Sequence, residues 1–201
     1  MSEPERLDPR QAALIAYDVC RRALTPSDPA RRAAIRPVLE AWVRIIAAAR
    51  AAGVPVIYTT PVSRADGADV VMLPTDLSAE TGVPPLTNAI EGSEEAGFPD
   101  EIAPRPEDYV FLKRPERLLW HGRRRAPAYA AAGHDHHRRR RNQSRCRDEC
   151  AGGFNLDLAA IVVRECCWGS DAAAHAYSLD KAMKMYARIR TLDQVVAMLR
   201  R

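Results

Sequence analysis

The sequence predicts an α/β fold with three layers, in which helices cover both faces of a mostly parallel sheet. Short apolar segments of strand length alternate with segments whose apolar residues recur every three or four positions. The chain has 201 residues with 47% hydrophobic content, which is enough for one sizeable core. No apolar run approaches the roughly 20 residues of a membrane-spanning helix. We therefore expect one domain that comprises residues 1–201.

Five short apolar segments, each bounded by polar or turn-forming residues, are predicted to be strands. They are residues 12–17, 54–59, 109–112, 156–163 and 187–189. The first ends at Asp18 and the third ends at Lys113. The polar, Pro- and Gly-rich stretch at 61–106 is predicted to be a long loop that covers a site.

Three segments have helical periodicity and recognisable start signals. Asp28 and Pro29 provide an N-cap and a first-turn proline for a helix that ends at Gly53. A second helix is predicted at 170–185, with a break at Ser178. Thr191 is the predicted cap of the last helix. The alternation of strands and helices favours a parallel sheet covered on both faces.

Asp18 and Lys113 are the first candidate site residues. In parallel sheets, ligands bind beyond the carboxyl ends of the strands, and both residues fall at that edge. A nearby ammonium keeps a carboxylate ionised, and the carboxylate can take a proton from a nucleophile or from water. A charged residue that ends a strand also commonly marks the point where the chain meets solvent. The spacing alone leaves both interpretations open.

The net charge of +4 is not spread along the chain. Residues 121–150 hold nine of the 30 basic residues and three of the 26 acidic ones. The remainder, with 21 basic and 23 acidic residues, has a net charge of −2. The basic character therefore comes from one tract, and the isoelectric point indicates nothing general about nucleic acid.

The five cysteines show neither a disulfide framework nor zinc-ligand spacing. With a polar N-terminus that has no signal-like apolar region, this indicates reduced thiols and a cytoplasmic location. Cys20 is interpreted as a buried apolar group. Cys166, at the end of a strand, is a candidate for substrate contact, although packing explains it and the adjacent Cys167 more simply. No metal or cofactor is expected.

Five segments together are similar to the isochorismatase-like cysteine hydrolase family. Residues 13–19 resemble its first strand, which ends in an aspartate, and residues 53–60 resemble its second strand. Residues 98–113 resemble the passage that leads to its catalytic lysine. Residues 120–122 resemble its aromatic-x-Gly turn, and 154–199 resemble its last strand, helix, strand and helix. Each motif is modest by itself, but their order is specific.

The resemblance implies a Rossmann-like hydrolase that acts on a small molecule with an amide or vinyl ether bond. Asp18 would take a proton, Lys113 would stabilise developing negative charge, and Trp120 would wall the pocket. Members of the family usually assemble as dimers or tetramers. Residues 195–199 are a candidate interface, which core packing explains equally well.

The basic tract stands where the family has a buried strand. Reading its codons one base later turns His-Asp-His-His into Met or Thr followed by three residues that are Thr or Ile. Residues 133–142 can then read Gly-Met-Thr-Thr-Ile-Val-Val-Ala-Gly-Ile, an apolar strand that the arginines cannot form because unpaired buried guanidiniums are costly. The same shift makes 130–132 resemble a helix end and 145–151 a helix start. We hypothesise that roughly residues 122–152 are out of frame, through a sequencing error or a real pair of compensating indels.

Neither reading supplies the family's nucleophilic cysteine at its expected place. The shifted codon at Arg145 begins with G, whereas a cysteine codon begins with T, so the restored residue is most simply glycine. This resembles members that lack the thiol and use the aspartate as acid and base. Cys146 lies one residue away, but it disappears in the shifted frame.

The alternative takes the tract as genuine. Residues 134–147 would then be an Arg- and His-rich loop that neutralises phosphates, in a non-catalytic or nucleic-acid-binding α/β protein. No aromatic residues interleave with the arginines, and His-Asp-His-His has no metal-ligand partners at defined spacing. The sequence therefore favours a small-molecule substrate. If the tract is genuine, we expect residues 133–142 to form an exposed, irregular excursion.

Overall fold

The predicted α/β class is confirmed. The computed structural model describes residues 6–69, 88–113, 128–132, 144–169 and 171–200. Within these ranges seven strands form a sheet in which every pairing is parallel. The strands are β1 (Ala12–Ala16), β2 (Val56–Ser63), β3 (Ala89–Ile90), β4 (Tyr109–Lys113), β5 (Ala128–Ala132), β6 (Ala160–Val163) and β7 (Ala187–Arg190).

The strand order places β1 and β4 on opposite sides of β2. The sheet runs β3-β2-β1-β5-β6-β7, and β4 also pairs with β2. In register, Tyr58 of β2 lies beside Ala16 of β1 and beside Val110 of β4. Because all three strands point the same way, their carboxyl ends meet at one edge of the sheet.

Five α-helices lie in the described ranges, and the predicted start signals are confirmed. Asp28 accepts a hydrogen bond from the backbone N–H of Arg31 at 2.7 Å, and Thr191 forms a capping box with Gln194. The predicted break at Ser178 is the start of a π-helical turn, Ser178–Ala182. The helices are α1 (Arg21–Leu24), α2 (Pro29–Ala51), α3 (Ser144–Phe154), α4 (Ala172–Tyr177) and α5 (Leu192–Leu199).

The side chains of β1 alternate between two separate apolar clusters. Leu14 and Ala16 belong to a cluster that α2 and α5 complete, whereas Ala13 and Ile15 belong to a cluster on the opposite face. That second cluster includes Cys150 of α3. A strand with every residue buried and successive side chains on opposite faces is typical of the centre of a three-layer structure.

The C-terminal helix belongs to the core, so packing within the chain explains its apolar residues. Val195, Met198 and Leu199 are buried in the cluster that contains Trp42, and Val196 packs against that cluster. Residues 195–199 therefore cover the sheet of their own chain, because the apolar stripe of α5 faces α2.

Two sequence-based boundaries need correction. The strand predicted at 156–163 begins only at Ala160, since Asp157 has a left-handed φ of 58° and turns the chain before it. The predicted loop at 61–106 contains the short strand β3, and β2 extends into it as far as Ser63. Residues 70–87 of this loop lie outside the described ranges.

The central position of the sheet is filled by residues just before the histidine and arginine run. Strand β5 lies between β1 and β6, with Leu14 beside Ala130 and Ala130 beside Ile161. Residues 130–132 are therefore strand in the chain as written, whereas the helix end was inferred for the shifted frame. Residues 133–142, where the apolar strand was expected, lie outside the described ranges.

Among the described helices, none is both long and apolar enough to cross a membrane.

We predict that Trp42→Ala lowers the free energy of unfolding by about 3–5 kcal/mol, because Trp42 is fully buried and its removal leaves a cavity. Its neighbour Val43 is 36% exposed on the same helix, so Val43→Ala should change stability by no more than about 0.5 kcal/mol. Urea denaturation of the two variants checks this. Equal losses would contradict the packing of α2 described above.

Candidate active site

The two candidate site residues form a buried ion pair. Lys113 Nζ lies 2.8 Å from Asp18 Oδ1 and 3.0 Å from Asp18 Oδ2. The side chains are 8% and 1% exposed, respectively. Because the pair is shielded from water, its attraction is screened far less than that of a surface pair. The structure thus brings together two residues that are 95 positions apart in the sequence.

The sheet topology explains this contact. Asp18 follows β1 by two residues, and Lys113 is the last residue of β4, in register with Pro61 of β2. Since β1 and β4 flank β2, the two charged side chains meet across that strand, before its last residue Ser63. The four residues of β4 before Lys113 are exposed, so Lys113 is the point at which this strand enters the interior.

The backbone of Asp18 is in the left-handed region, with φ at 58°. Non-glycine residues enter this region at a cost, and Asp and Asn tolerate it best. The backbone N–H of Asp18 donates to Thr59 Oγ1 at 2.9 Å, and the Thr59 hydroxyl donates to Asp18 Oδ1 at 3.2 Å. Thr59 is fully buried in β2, between the strands that carry the charged pair.

An aromatic ring also contacts the ammonium group. Lys113 Nζ lies 3.6 Å from the centroid of the Tyr17 ring, which is within the range of a cation–π contact. Tyr17 is buried and belongs to the same cluster as Ala13 and Ile15. The ammonium is thus held by a carboxylate and by a ring face, both within two residues of the end of β1.

Cys20 lies beside the pair but is not an activated thiol. Burial and the nearby charge of Asp18 raise the pKa of Cys20 to about 11. A thiol in this condition is neutral at pH 7, and the thiolate is the nucleophilic form. The interpretation of Cys20 as a buried, packed group agrees with its complete burial.

Two of the other cysteines lie in α3, and two follow the end of β6. Cys166 is fully buried among the residues that face α2, and burial raises its pKa well above the usual thiol value. Packing accounts for Cys166, as it does for Cys167. Cys146 lies in α3, half-buried, and packs against the cluster that contains Tyr17.

From the sequence, Trp120 and the histidines of the basic tract were also considered as site residues. Trp120 and the histidines of the tract lie outside the described ranges. Within those ranges, no group of three or more His, Cys, Asp or Glu side chains is placed to hold a metal ion. The described part of the site includes the carboxylate, the ammonium, the Tyr17 ring and the Thr59 hydroxyl.

Sequence reasoning missed Thr59 and Tyr17. Thr59 stands in a strand where threonine is common, and its contact with Asp18 spans 41 positions, so no local pattern indicates it. Tyr17 appeared only as the last apolar residue of the first strand. A useful signal was its place directly before a candidate catalytic acid.

Comparisons with known proteins agree with this fold. A sequence model described as the isochorismatase domain matches residues 12–117, which is more than half of the chain. No curated protein matches the chain significantly.

Several solved structures share the fold at low sequence identity. An isochorismatase family protein from Burkholderia thailandensis is 20% identical, with a TM-score of 0.72 over 98% of this chain and 99% of that one. A cysteine hydrolase from Pseudomonas syringae is 17% identical, with a TM-score of 0.70 over 99% and 98%. A nicotinamidase/pyrazinamidase from Bacillus subtilis is 16% identical, with a TM-score of 0.62 over 89% and 98%.

We predict that Lys113→Met destabilises the protein by about 3–5 kcal/mol, because it leaves the Asp18 carboxylate buried without its cation. Asp18→Asn tests the other half of the pair, and asparagine suits the left-handed backbone. The double variant should be more stable than the sum of the single losses implies. A double-mutant cycle in urea measures the coupling, and additive losses would contradict a direct interaction.

Proposed function

Because the chain belongs to the isochorismatase family, we propose that this isochorismatase-like hydrolase acts on a small molecule with an amide or vinyl ether bond, using Asp18 and Lys113. The observation that carries the proposal is the buried carboxylate–ammonium pair at the carboxyl edge of the sheet. That edge is where α/β proteins bind their ligands. The fold shared with a nicotinamidase/pyrazinamidase supports the amide class.

In the proposed reaction, Asp18 acts first as base and then as acid. Its carboxylate takes a proton from a water molecule, and the hydroxide forms a bond to the amide carbon. The Lys113 ammonium stabilises the negative charge that develops on the carbonyl oxygen. The C–N bond then breaks as Asp18 returns its proton to the leaving nitrogen. The products are a carboxylic acid and ammonia or an amine.

The two groups of the pair differ in exposure. Lys113 retains 8% side-chain exposure and Asp18 retains 1%, so the ammonium is the more accessible member of the pair. A carboxylate screened from bulk water interacts more strongly with the charges that remain near it. Trp120 is proposed to wall the same pocket. Cys166 carries no role in the proposal, since packing accounts for it.

The proposal assigns the nucleophile to water instead of a thiol. Cys20 is deeply buried with a raised pKa, which makes it a poor nucleophile at neutral pH. Cys146 packs on the face of the sheet that carries Tyr17, so Cys146→Ala is the variant that tests a thiol mechanism. If Cys146→Ala loses all activity, the nucleophile is the Cys146 thiol and not water.

The frame of residues 122–152 is part of the proposal. We propose that a frame-restored chain, with an apolar strand in place of 133–142, is the more active form. The support is that the possible codons of the charged tract, when they are read one base later, encode an apolar strand. The family has a buried strand at this place. The chain as written fills that position with the alanine-rich strand β5 instead.

The comparisons favour the hydrolase over a nucleic-acid-binding α/β protein. The alternative also required a loop at 134–147, whereas α3 begins at Ser144 and makes the last part of that stretch helical. A small-molecule substrate, one domain over residues 1–201 and a cytoplasmic location remain our predictions.

The test is an assay of hydrolysis with a panel of small carboxamides and vinyl ethers. Release of ammonia or of a carbonyl compound measures the reaction. We predict that Asp18→Asn and Lys113→Met each lower kcat/KM by about a hundredfold or more, since each removes a group that contacts the reacting atoms. The frame-restored chain, assayed in parallel, should exceed the chain as written. Equal activity of Asp18→Asn and the parent would overturn the assignment of Asp18.

Self-association is expected at the edge of the sheet. Among the described strands, β4 pairs with β2 alone, and Tyr109, Val110, Phe111 and Leu112 are 38–56% exposed. An exposed apolar edge strand readily pairs with another chain, and the occupant we propose is a second copy. We predict that Val110→Lys shifts the protein toward monomer in light scattering, whereas Tyr177→Lys, at an exposed site on α4, does not. A monomeric parent protein would refute this.

A further inference from the structure

One buried hydroxyl makes two reciprocal hydrogen bonds with the proposed catalytic carboxylate residue. Thr59 Oγ1 accepts the backbone N–H of Asp18 at 2.9 Å and donates to Asp18 Oδ1 at 3.2 Å. Both residues are fully buried. A single side chain thus fixes the backbone of Asp18 and also one oxygen of its carboxylate.

The conformation of Asp18 explains why such a support matters. Its φ of 58° lies in a region that L residues enter only when their surroundings hold them there. The orientation of the carboxylate follows from that backbone, and Lys113 contacts both of its oxygens. A change in the Asp18 backbone would therefore move the carboxylate relative to the ammonium.

The next residue along β2 shows that burial of a hydroxyl alone does not produce this arrangement. Thr60 is equally buried, but its hydroxyl donates to the carbonyl oxygen of Ala96 at 3.0 Å. Successive side chains of a strand point to opposite faces, so the Thr60 side chain points to the face opposite that of Thr59. Thr60 is thus a matched control, with the same chemistry and burial but different partners, Ala96 and Cys20.

We propose that Thr59 is a positioning residue, which holds Asp18 in its left-handed conformation and aims its carboxylate at Lys113. This inference rests on the proposed role of Asp18 as the base of a hydrolase. It extends that role to a residue of β2 that acts, in the proposed reaction, through its hydrogen bonds with Asp18. Its effect on catalysis passes entirely through the geometry of Asp18.

The first test needs no substrate. In Thr59→Val, the amide of Asp18 loses the hydroxyl that accepts its hydrogen bond, so hydrogen exchange at Asp18 should accelerate by about tenfold, as expected for one lost hydrogen bond. Thr59→Ser keeps the hydroxyl and should keep the protection. Thr60→Val should leave exchange at Asp18 unchanged. Unchanged exchange in Thr59→Val, measured by NMR, would overturn the proposal.

The second test uses the hydrolysis assay. Thr59→Val should lower kcat by about tenfold to a hundredfold with little change in KM, because a displaced catalytic group slows the chemical step. Thr59→Ser should restore most of the rate. Near-UV circular dichroism and melting of Thr59→Val and Thr60→Val show whether both variants fold.

The two proposals fail in different ways. If Asp18→Asn is inactive while folded Thr59→Val keeps the parent kcat, the positioning role is wrong and the proposed function stands. If Asp18→Asn keeps its activity, the proposed function is wrong. Hydrogen exchange at Asp18 then still decides whether Thr59 holds that residue, so a loss of protection would support the structural half of the inference alone.

Discussion

The burial of two opposite charges against each other is the constraint on which the rest of the structure depends. A carboxylate and an ammonium in the interior are tolerated only when each has the other within a few ångströms, because desolvation of an unpaired charge costs several kcal/mol. Asp18 and Lys113 meet that condition at 2.8 Å. The strand order places β1 and β4 on either side of β2, and β4 ends at Lys113, so both features bring the two charges together.

Strand β2 is the element that makes the pairing possible. It separates β1 from β4, so the two charged residues approach each other across it. The same strand supplies the hydroxyl of Thr59, and its register with both neighbours fixes the height at which the three side chains meet. The site is thus assembled from three strands that are adjacent in space, with its two charged groups far apart in the chain.

Local patterns in the sequence predicted most of the described elements. The strand before Asp18, the capped helix after Asp28 and the strand that ends at Lys113 depend on nearby residues, and all three are confirmed. The start of β6 was wrong because a left-handed residue, Asp157, turns the chain inside an apolar run, and composition gives no sign of that backbone angle.

Features that depend on distant contacts were harder to predict. Which segment fills the centre of the sheet is decided by pairing with β1 and β6, and the alanine-rich β5 carries little strand signal of its own. The Asp18–Lys113 pair could be predicted from the sequence only because both residues stand at the carboxyl ends of strands. In a parallel sheet these ends lie at the same edge, so the two residues come close together. Thr59 had no such marker, since nothing in its own neighbourhood distinguishes it from Thr60.

The positive φ of Asp18 also limits which amino acids can replace it during evolution. A backbone in the left-handed region accepts glycine, asparagine and aspartate with least cost, and of these only aspartate carries an acid. Glutamate keeps the acid but must bear the strain and reach the same point with a longer chain. The backbone geometry therefore limits which substitutions of Asp18 are tolerated, even before selection for catalytic activity acts on them.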